Sequence, residues 1–338
     1  MKNSLPVIGI TLGDAGGIGA EIVCKAAASG FLNKYAVPVI IGQEELLKRG
    51  MRHSGVTFPY IKVSSPRDAD VTKDTIGLIP FGDLAVDRVI IGTESVENGK
   101  AQAEELIECI RLCRLGMLDG FCFAPLNKGA MKAAGYNFPS EHEMFAHIYG
   151  QKDSFGEANY VNGLWNVRVT SHIPFKDVCA QITVENILEA ARLGMRILKQ
   201  SGVENPRMAI SGLNPHNGEN GSCGREEIDI IAPAVELANN EGIPLTGPFP
   251  ADTLFPRLFR EKFDMVVTLY HDQGQIAIKL QNFMHCVTVS SGLPHPITTP
   301  AHGTAYDIAG TGKCLTTPFE DAFRLCCRMA TGSKEADQ

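Results

Sequence analysis

The chain has 338 residues, with 31 Lys and Arg against 38 Asp and Glu for a formal charge of −7, and is 44% hydrophobic and 20% charged. That is an ordinary globular composition, which excludes disorder for the bulk of the chain. The mild acidity, without a long Lys/Arg run, argues against nucleic acid or an anionic membrane as the main partner and leaves a small molecule. Neither a signal peptide nor an apolar run of about 18 residues is read in the sequence, so a cytoplasmic protein is expected, of two domains at roughly 100–200 residues each.

Runs rich in β-formers at 6–11, 37–41, 89–91, 120–124, 167–170, 208–211 and 265–269 alternate with longer stretches of helical period. This predicts an α/β protein with mostly parallel sheets. Within 100–115, Ala103, Leu106, Ile107, Ile110 and Cys113 recur at helical spacing; within 184–200, Leu188, Ala191, Met195 and Leu198 do the same before Gly202 stops the helix. Seams near 125 and 285, without a Pro- or Ser-rich linker, predict a discontinuous first domain, 1–125 with 285–338, and a second, 126–284. The ten cysteines form no C-x-x-C pair and read as buried thiols, and the polar tail 331–338 is expected to be disordered.

In chain order, the first motif is Gly13-Asp14-Ala15-Gly16-Gly17-Ile18-Gly19-Ala20-Glu21, between a strand and a helix. A dinucleotide fingerprint would need a third glycine where Ile22 stands, so the segment reads as a tight turn. His172, His216 and His271, three of nine histidines, follow the carboxyl ends of predicted strands, the edge at which open α/β sheets bind ligands. One such histidine most often only bonds a carbonyl; three together suit a divalent metal with an open position. Asp272, beside His271, and Asp252, in the Gly247-Pro248-Phe249-Pro250-Ala251-Asp252 turn, can orient an imidazole or take a proton, although Asp252 alone would be read as a helix cap. Lys279 projects a single cation from an apolar element, suited to an anionic substrate group. The small-residue segment 299–310 can cradle an adenosine, whereas Gly310-Thr311-Gly312-Lys313 lacks the upstream glycine of a P-loop, Asp307 standing there.

The set GDAGGIGAEI, AP-x-NK at 124–128, SHIPF, GLNPH-x-GE, GPFPADTLF, YHDQG and HGTAYDIAGTGK resembles, in order and spacing over nearly the whole chain, the 4-hydroxythreonine-4-phosphate dehydrogenase family of pyridoxal phosphate biosynthesis. The resemblance implies an isocitrate/isopropylmalate-dehydrogenase-like fold and a homodimer whose active site takes residues from both subunits, with 126–284 as the metal, substrate and dimerisation domain. It implies that His172, His216 and His271 bind a divalent metal, that Asp252 and Asp272 maintain the site with Lys279, and that the loop containing His302, Gly303, Thr304, Ala305 and Asp307 holds NAD or NADP. The implied reaction is oxidation of a secondary alcohol of a small hydroxy acid, whose β-keto product can lose carbon dioxide. Zn, Co, Mn or Ni suits such ligands, and Mg is also compatible.

The departures bear on the substrate. Glu141 and His142 stand where the family has substrate-contacting His and Thr; Lys279 is kept, but Thr288 and Ile297 stand where Asn and Arg are expected. Forked guanidinium and amide donors hold a phosphate dianion, so these changes point to an unphosphorylated substrate such as a dihydrodiol carboxylate or acid sugar. A non-catalytic metal- or nucleotide-binding dimer is the competing class, and retention of both aspartates beside the three histidines weighs against it.

Overall fold

The computed structural model describes residues 5–68, 72, 74–152 and 154–332. The chain forms two compact units, Met1–Lys152 with Val287–Gln338, and Asp153–Cys286. In the first, β1 (Val7–Thr11), β2 (Val37–Gly42), β3 (Tyr60–Lys62), β4 (Ile76–Pro80) and β5 (Gly120–Phe123) are all parallel. The second unit holds β6 (Gly156–Val161), β7 (Leu164–Arg168), β8 (Met208–Ser211), β9 (Leu245–Phe249) and β10 (Met265–Thr268). The chain then returns to the first unit with β11 (Val287–Ser291) and β12 (Ile297–Pro300). Within the units the strand orders are β3-β4-β2-β1-β5-β12-β11 and β6-β7-β10-β8-β9.

The strand sequences explain this arrangement. β1, β5, β8 and β10 are buried at every position, as parallel strands covered by helices on both faces must be. The antiparallel β6–β7 hairpin turns on Asn162-Gly163, both at positive φ, the condition for a tight two-residue turn that follows the strand twist. β11 reverses against β12, which runs parallel to β5 with Ile297 opposite Phe121. Because β1, β5 and β12 are parallel, the loops that follow them leave from one edge of the first unit. The same holds in the second unit for β7, β10, β8 and β9.

The α/β class, mostly parallel sheets and discontinuous first unit agree with the isocitrate/isopropylmalate-dehydrogenase-like expectation. Three readings change. Segment 89–91 is not a strand: Val89 and Ile90 carry no regular structure, Ile90 is exposed, and the strand of that region is β4. The first unit extends to Lys152 and not to 125, because 126–152 packs into it. Gly99 lets the Val96–Arg114 helix meet the Lys128–Ala133 helix, an added Cβ lying 2.1 Å from the Ala130 carbonyl, and Phe145 lies edge-on to Phe121 and Phe123 at 5.9 Å. Eight cysteines are buried, but Cys179 and Cys223 are exposed. Residues 333–338 of the expected polar tail lie outside the described residues. No helix among the described residues is long and apolar enough to cross a membrane.

Candidate active site

In the second unit the backbone pairing of β7 with β10 continues past both strands. Val169 N donates to Thr268 O at 2.9 Å and Thr170 N to Leu269 O at 3.1 Å, with Thr170 Oγ1 donating to the same carbonyl at 2.8 Å. The extension carries Ser171-His172 alongside Tyr270-His271, and the two imidazole centroids lie 5.5 Å apart. His271 opens the His271–Asn282 helix, and its Nδ1 is 2.7 Å from Asp272 Oδ1. With Nδ1 turned to this carboxylate, Nε2 is the ring nitrogen that faces away from it. Gln273 joins neighbouring strand ends: its Oε1 accepts from Leu269 N at 2.7 Å, and its Nε2 donates to Gly212 O at 2.9 Å.

His216 lies on the Pro215–Gly221 loop after β8, where His216, Asn217, Gly218, Glu219 and Asn220 all have φ between 44 and 77°. A left-handed run of non-glycine residues costs about 1–2 kcal/mol per residue and persists only when surrounding contacts impose it. Glu227 anchors the residues that lead into this run, its carboxylate accepting from Leu213 N at 2.7 Å, Asn214 N at 2.6 Å and Asn214 Nδ2 at 3.0 Å. Burial pushes the Glu227 carboxyl up, but these donors outweigh it and hold it below its ordinary value. Asn217 Nδ2 donates to Pro248 O at 2.6 Å, tying the loop to the end of β9, and Asp252 follows, exposed in the first turn of the Ala251–Arg260 helix. The turn expected over 247–252 is instead the end of β9 and the start of this helix, which puts Asp252 one residue inside the helix.

The structure therefore brings His172 and His271 together and sets His216 on a loop, and Asp252 in the first turn of a helix, after neighbouring strands of the same sheet edge. No group of three His, Cys, Asp or Glu among the described residues converges as a metal cluster. Ser171 Oγ and Asn217 Oδ1, each next in sequence to an expected ligand, are buried without a hydrogen-bond partner among the described residues. Lys279 lies two turns beyond His271, its Nζ 5.9 Å from the Phe283 ring centroid.

In the first unit, the 302–310 loop follows β12. His302 Nδ1 lies 3.0 Å from Gly303 O, the Gly303 and Asp307 residues are exposed, and Ala305 has φ 45°. The β1 loop is more than the turn expected of it, since it packs directly on this segment: Ile18 N donates to Thr304 O at 3.1 Å, and a Cβ at Gly17 would lie 2.9 Å from that carbonyl. Sequence reasoning missed the group beneath. Asp14, fully buried, accepts from Tyr306 Oη at 2.9 Å and Gln102 Nε2 at 3.1 Å, and Asn127 Nδ2 donates to Tyr306 Oη at 2.8 Å. Its motifs were visible, but the bond between residues 14 and 306 was not. The 84–91 segment separates two cavities, one of about 580 Å³ with Arg49, Arg52 and His53 in its wall, the other of about 350 Å³ with Arg88 and Glu94.

At the positions where the sequence leads one to expect substrate contacts, Glu141 is buried and lies 2.6 Å from Lys128 Nζ. His142 Nε2 is 3.0 Å from Oγ of Ser140, which caps the Glu141–Tyr149 helix. Thr288 stands on β11 opposite Thr299, and Ile297 is fully buried in β12.

A family model described as pyridoxal phosphate biosynthetic protein PdxA matches residues 34–326. A Pseudomonas aeruginosa protein provisionally named 4-hydroxythreonine-4-phosphate dehydrogenase 2 is 43% identical over 328 residues, 96% of this chain and 97% of that one. The crystal structure of Klebsiella pneumoniae 4-hydroxythreonine-4-phosphate dehydrogenase has a TM-score of 0.87 at 32% identity, covering 97% of this chain and 99% of that one. A terephthalate 1,2-cis-dihydrodiol dehydrogenase from Burkholderia xenovorans has a TM-score of 0.67 at 28% identity, covering 95% and 97%. Matched along most of its length by the family model and by relatives of both kinds, the chain belongs to the PdxA family, whose members are named as dehydrogenases of CH–OH groups.

Proposed function

We propose that the chain is a metal-dependent, NAD(P)-linked dehydrogenase that oxidises a secondary alcohol of a small hydroxy acid. The observation that carries this reading is the His172–His271 pair, set on the edge that also bears His216 and Asp252. The residues present fit a divalent metal: His271 has its Nδ1 bonded to a carboxylate, the arrangement that orients a ligating imidazole, and two buried oxygens beside the expected ligands lack partners among the described residues. His172, His216 and His271 would hold the metal and the 302–310 loop the nicotinamide cofactor, the first supplying Lewis acidity to the alcohol oxygen and the second accepting hydride. Asp272 fixes the tautomer and orientation of His271. Asp252, exposed on the same edge, is suited to take the alcohol proton, and Lys279 to pair with an anionic group of the substrate. A β-keto acid so formed is open to decarboxylation.

A second reading, of an unphosphorylated substrate, has its own support. Ile297 is inside the core and cannot be replaced in function by a rotamer change, while Glu141 adds an acid whose nearest cation, Lys128, it already engages. Two anion-binding positions of the family are thus unavailable to a phosphate dianion. Among known relatives, the terephthalate dihydrodiol dehydrogenase is an example with a carboxylate-bearing diol.

A homodimer with a shared active site is supported by the helix that begins with His271. Ile276, Leu280 and Phe283, at i, i+4 and i+7, are 60, 81 and 54% exposed, a stripe that a second copy can cover. Ten free thiols, eight of them buried, suit the reducing cytoplasm.

Three outcomes follow from this reading. Metal-loaded protein is expected to form NAD(P)H, read at 340 nm, with unphosphorylated hydroxy acids or cis-diols and to be slow with 4-hydroxythreonine 4-phosphate, while Asp272→Asn lowers turnover about 10–100-fold; normal turnover of the phosphorylated compound contradicts the substrate reading. Leu280→Glu is expected to shift the mass in light scattering from twice 36.5 kDa to 36.5 kDa and to abolish turnover, and a wild-type mass of one chain contradicts the dimer. Because Glu227 is held below its usual 4.5, its contribution to the His216 loop is present above that pH and lost as pH falls through the folded value. Glu227→Gln should therefore cost the Leu213 and Asn214 amides roughly tenfold or more in hydrogen-exchange protection at pH 7, with the gap closing in acid; equal protection at pH 7 contradicts the role given to Glu227.

A further inference from the structure

Asp14 is a buried acid that the mechanism above does not use. Asp14 is fully shielded from solvent at the carboxyl end of β1, yet four donors converge on it: Gly16 N at 2.7 Å, Asn98 Nδ2 at 3.4 Å, Gln102 Nε2 at 3.1 Å and Tyr306 Oη at 2.9 Å. Burial raises its pKa and the four donors only partly offset this. A carboxylate in such a place is costly unless fully bonded, so each donor is fixed in position by what its loss would leave unpaired.

Only one of the four donors belongs to the 302–310 loop. Tyr306 Oη gives its proton to Asp14 and accepts Asn127 Nδ2 at 2.8 Å, while Asn127 itself caps the Lys128–Ala133 helix by accepting from Ala130 N at 2.9 Å and takes its backbone position from Gln102 Oε1 at 2.8 Å. The phenol is therefore locked to the ends of β1 and β5 at once. Its chain neighbour Ala305 sits at φ 45°, a conformation that an alanine adopts only under constraint. The far end of the segment has separate anchors: Glu21 accepts from Gly310 N at 2.6 Å and Gly312 N at 2.7 Å, and Lys25 Nζ donates to Cys314 O at 3.0 Å. The near half, 302–306, relies on the Tyr306 bond and on Ile18 N to Thr304 O.

We propose that Tyr306 and Asp14 are positioning residues for the dinucleotide: their buried bond holds residues 302–306 in the cofactor-receiving conformation, so that this bond sets cofactor affinity without taking part in hydride transfer. The inference rests on reading 302–310 as the cofactor loop. It assigns the glycine-rich β1 loop a task, as the bed on which that loop lies. Holding a binding loop in its bound shape before the ligand arrives raises affinity by removing the ordering cost, and the effect appears in binding and not in the chemical step.

The test is titration calorimetry of the full-length, metal-loaded protein with NAD+ and NADP+, alongside steady-state kinetics. Tyr306→Phe is expected to weaken binding of the preferred dinucleotide about tenfold and to raise its KM by the same factor, with kcat at saturation changed less than about twofold. Asp14→Asn, which keeps the side-chain volume, should weaken binding in the same direction, and the double variant should be little worse than the weaker-binding single variant, since both cut one bond. Hydrogen exchange should rise in 303–306 and stay level in 310–314. Wild-type affinity in both single variants, or a fall in kcat with unchanged affinity, overturns the inference; so does a lowered melting temperature with unchanged affinity. If the wild-type protein itself binds neither dinucleotide, the cofactor reading of 302–310 falls, and this inference with it.

Discussion

Two hydrogen bonds, Val169 N to Thr268 O and Thr170 N to Leu269 O, carry the pairing of β7 with β10 past the end of β7 and set where the paired histidines of the second unit stand. Parallel strands end side by side, but side chains in the loops that follow usually diverge, because each loop turns away to reach its own helix. Here the ladder continues through Val169 and Thr170 on one side and Thr268 and Leu269 on the other, so His172 and His271 leave the sheet together and stay in ring contact. Gln273 then reaches from the start of its helix to the end of β8, and Asn217 reaches from the β8 loop to the end of β9. The site-bearing edge is thus knit sideways by amide side chains. This suits a site whose groups must be held with little slack.

The first unit solves a related problem with a buried acid in place of an extended ladder. A glycine-rich loop after β1 lets a second backbone approach closely, as the Gly17 contact with Thr304 requires. Close approach alone would not fix the conformation of the upper loop. Asp14 does so by concentrating donors from two other segments, the Val96–Arg114 helix and the 302–310 loop, on one carboxylate, at the expense of burying it. Both edges combine irregular, left-handed backbone with dense polar support beneath, as at His216 with Glu227 and at Ala305 with Tyr306. Strain retained at such places and compensated nearby is characteristic of functional sites.

Much of this was legible in the sequence because hydrophobic runs and strand-end histidines are local signals. Runs such as 6–11 and 265–269, rich in β-branched and apolar residues, suit a covered parallel strand, and a histidine just beyond one has few positions available. Segment 89–91 misled because three apolar residues in a row satisfy a strand pattern, whereas here Val89 and Ile91 line a cavity and Ile90 faces solvent. The boundary near 125 misled for a related reason: a change of composition marks a loop, but only packing, such as Gly99 against Ala130, decides which core the next helices join. The Asp14–Tyr306 bond spans 292 positions, and no spacing rule reaches that far. Glu141 could be seen as an unexpected acid; its pairing with Lys128 could not.

The substrate question turns on charge and the redox reading on geometry, and the two are separable. The central claim is that three imidazoles from three strand ends serve one metal. Its most direct test is the visible spectrum of the protein titrated with Co2+, whose ligand-field bands report the donor set independently of any substrate. The account predicts saturation at one equivalent per chain, with the bands altered or abolished by each of His172→Ala, His216→Ala and His271→Ala. An unchanged spectrum in all three variants, or no binding by the wild-type protein, would contradict it.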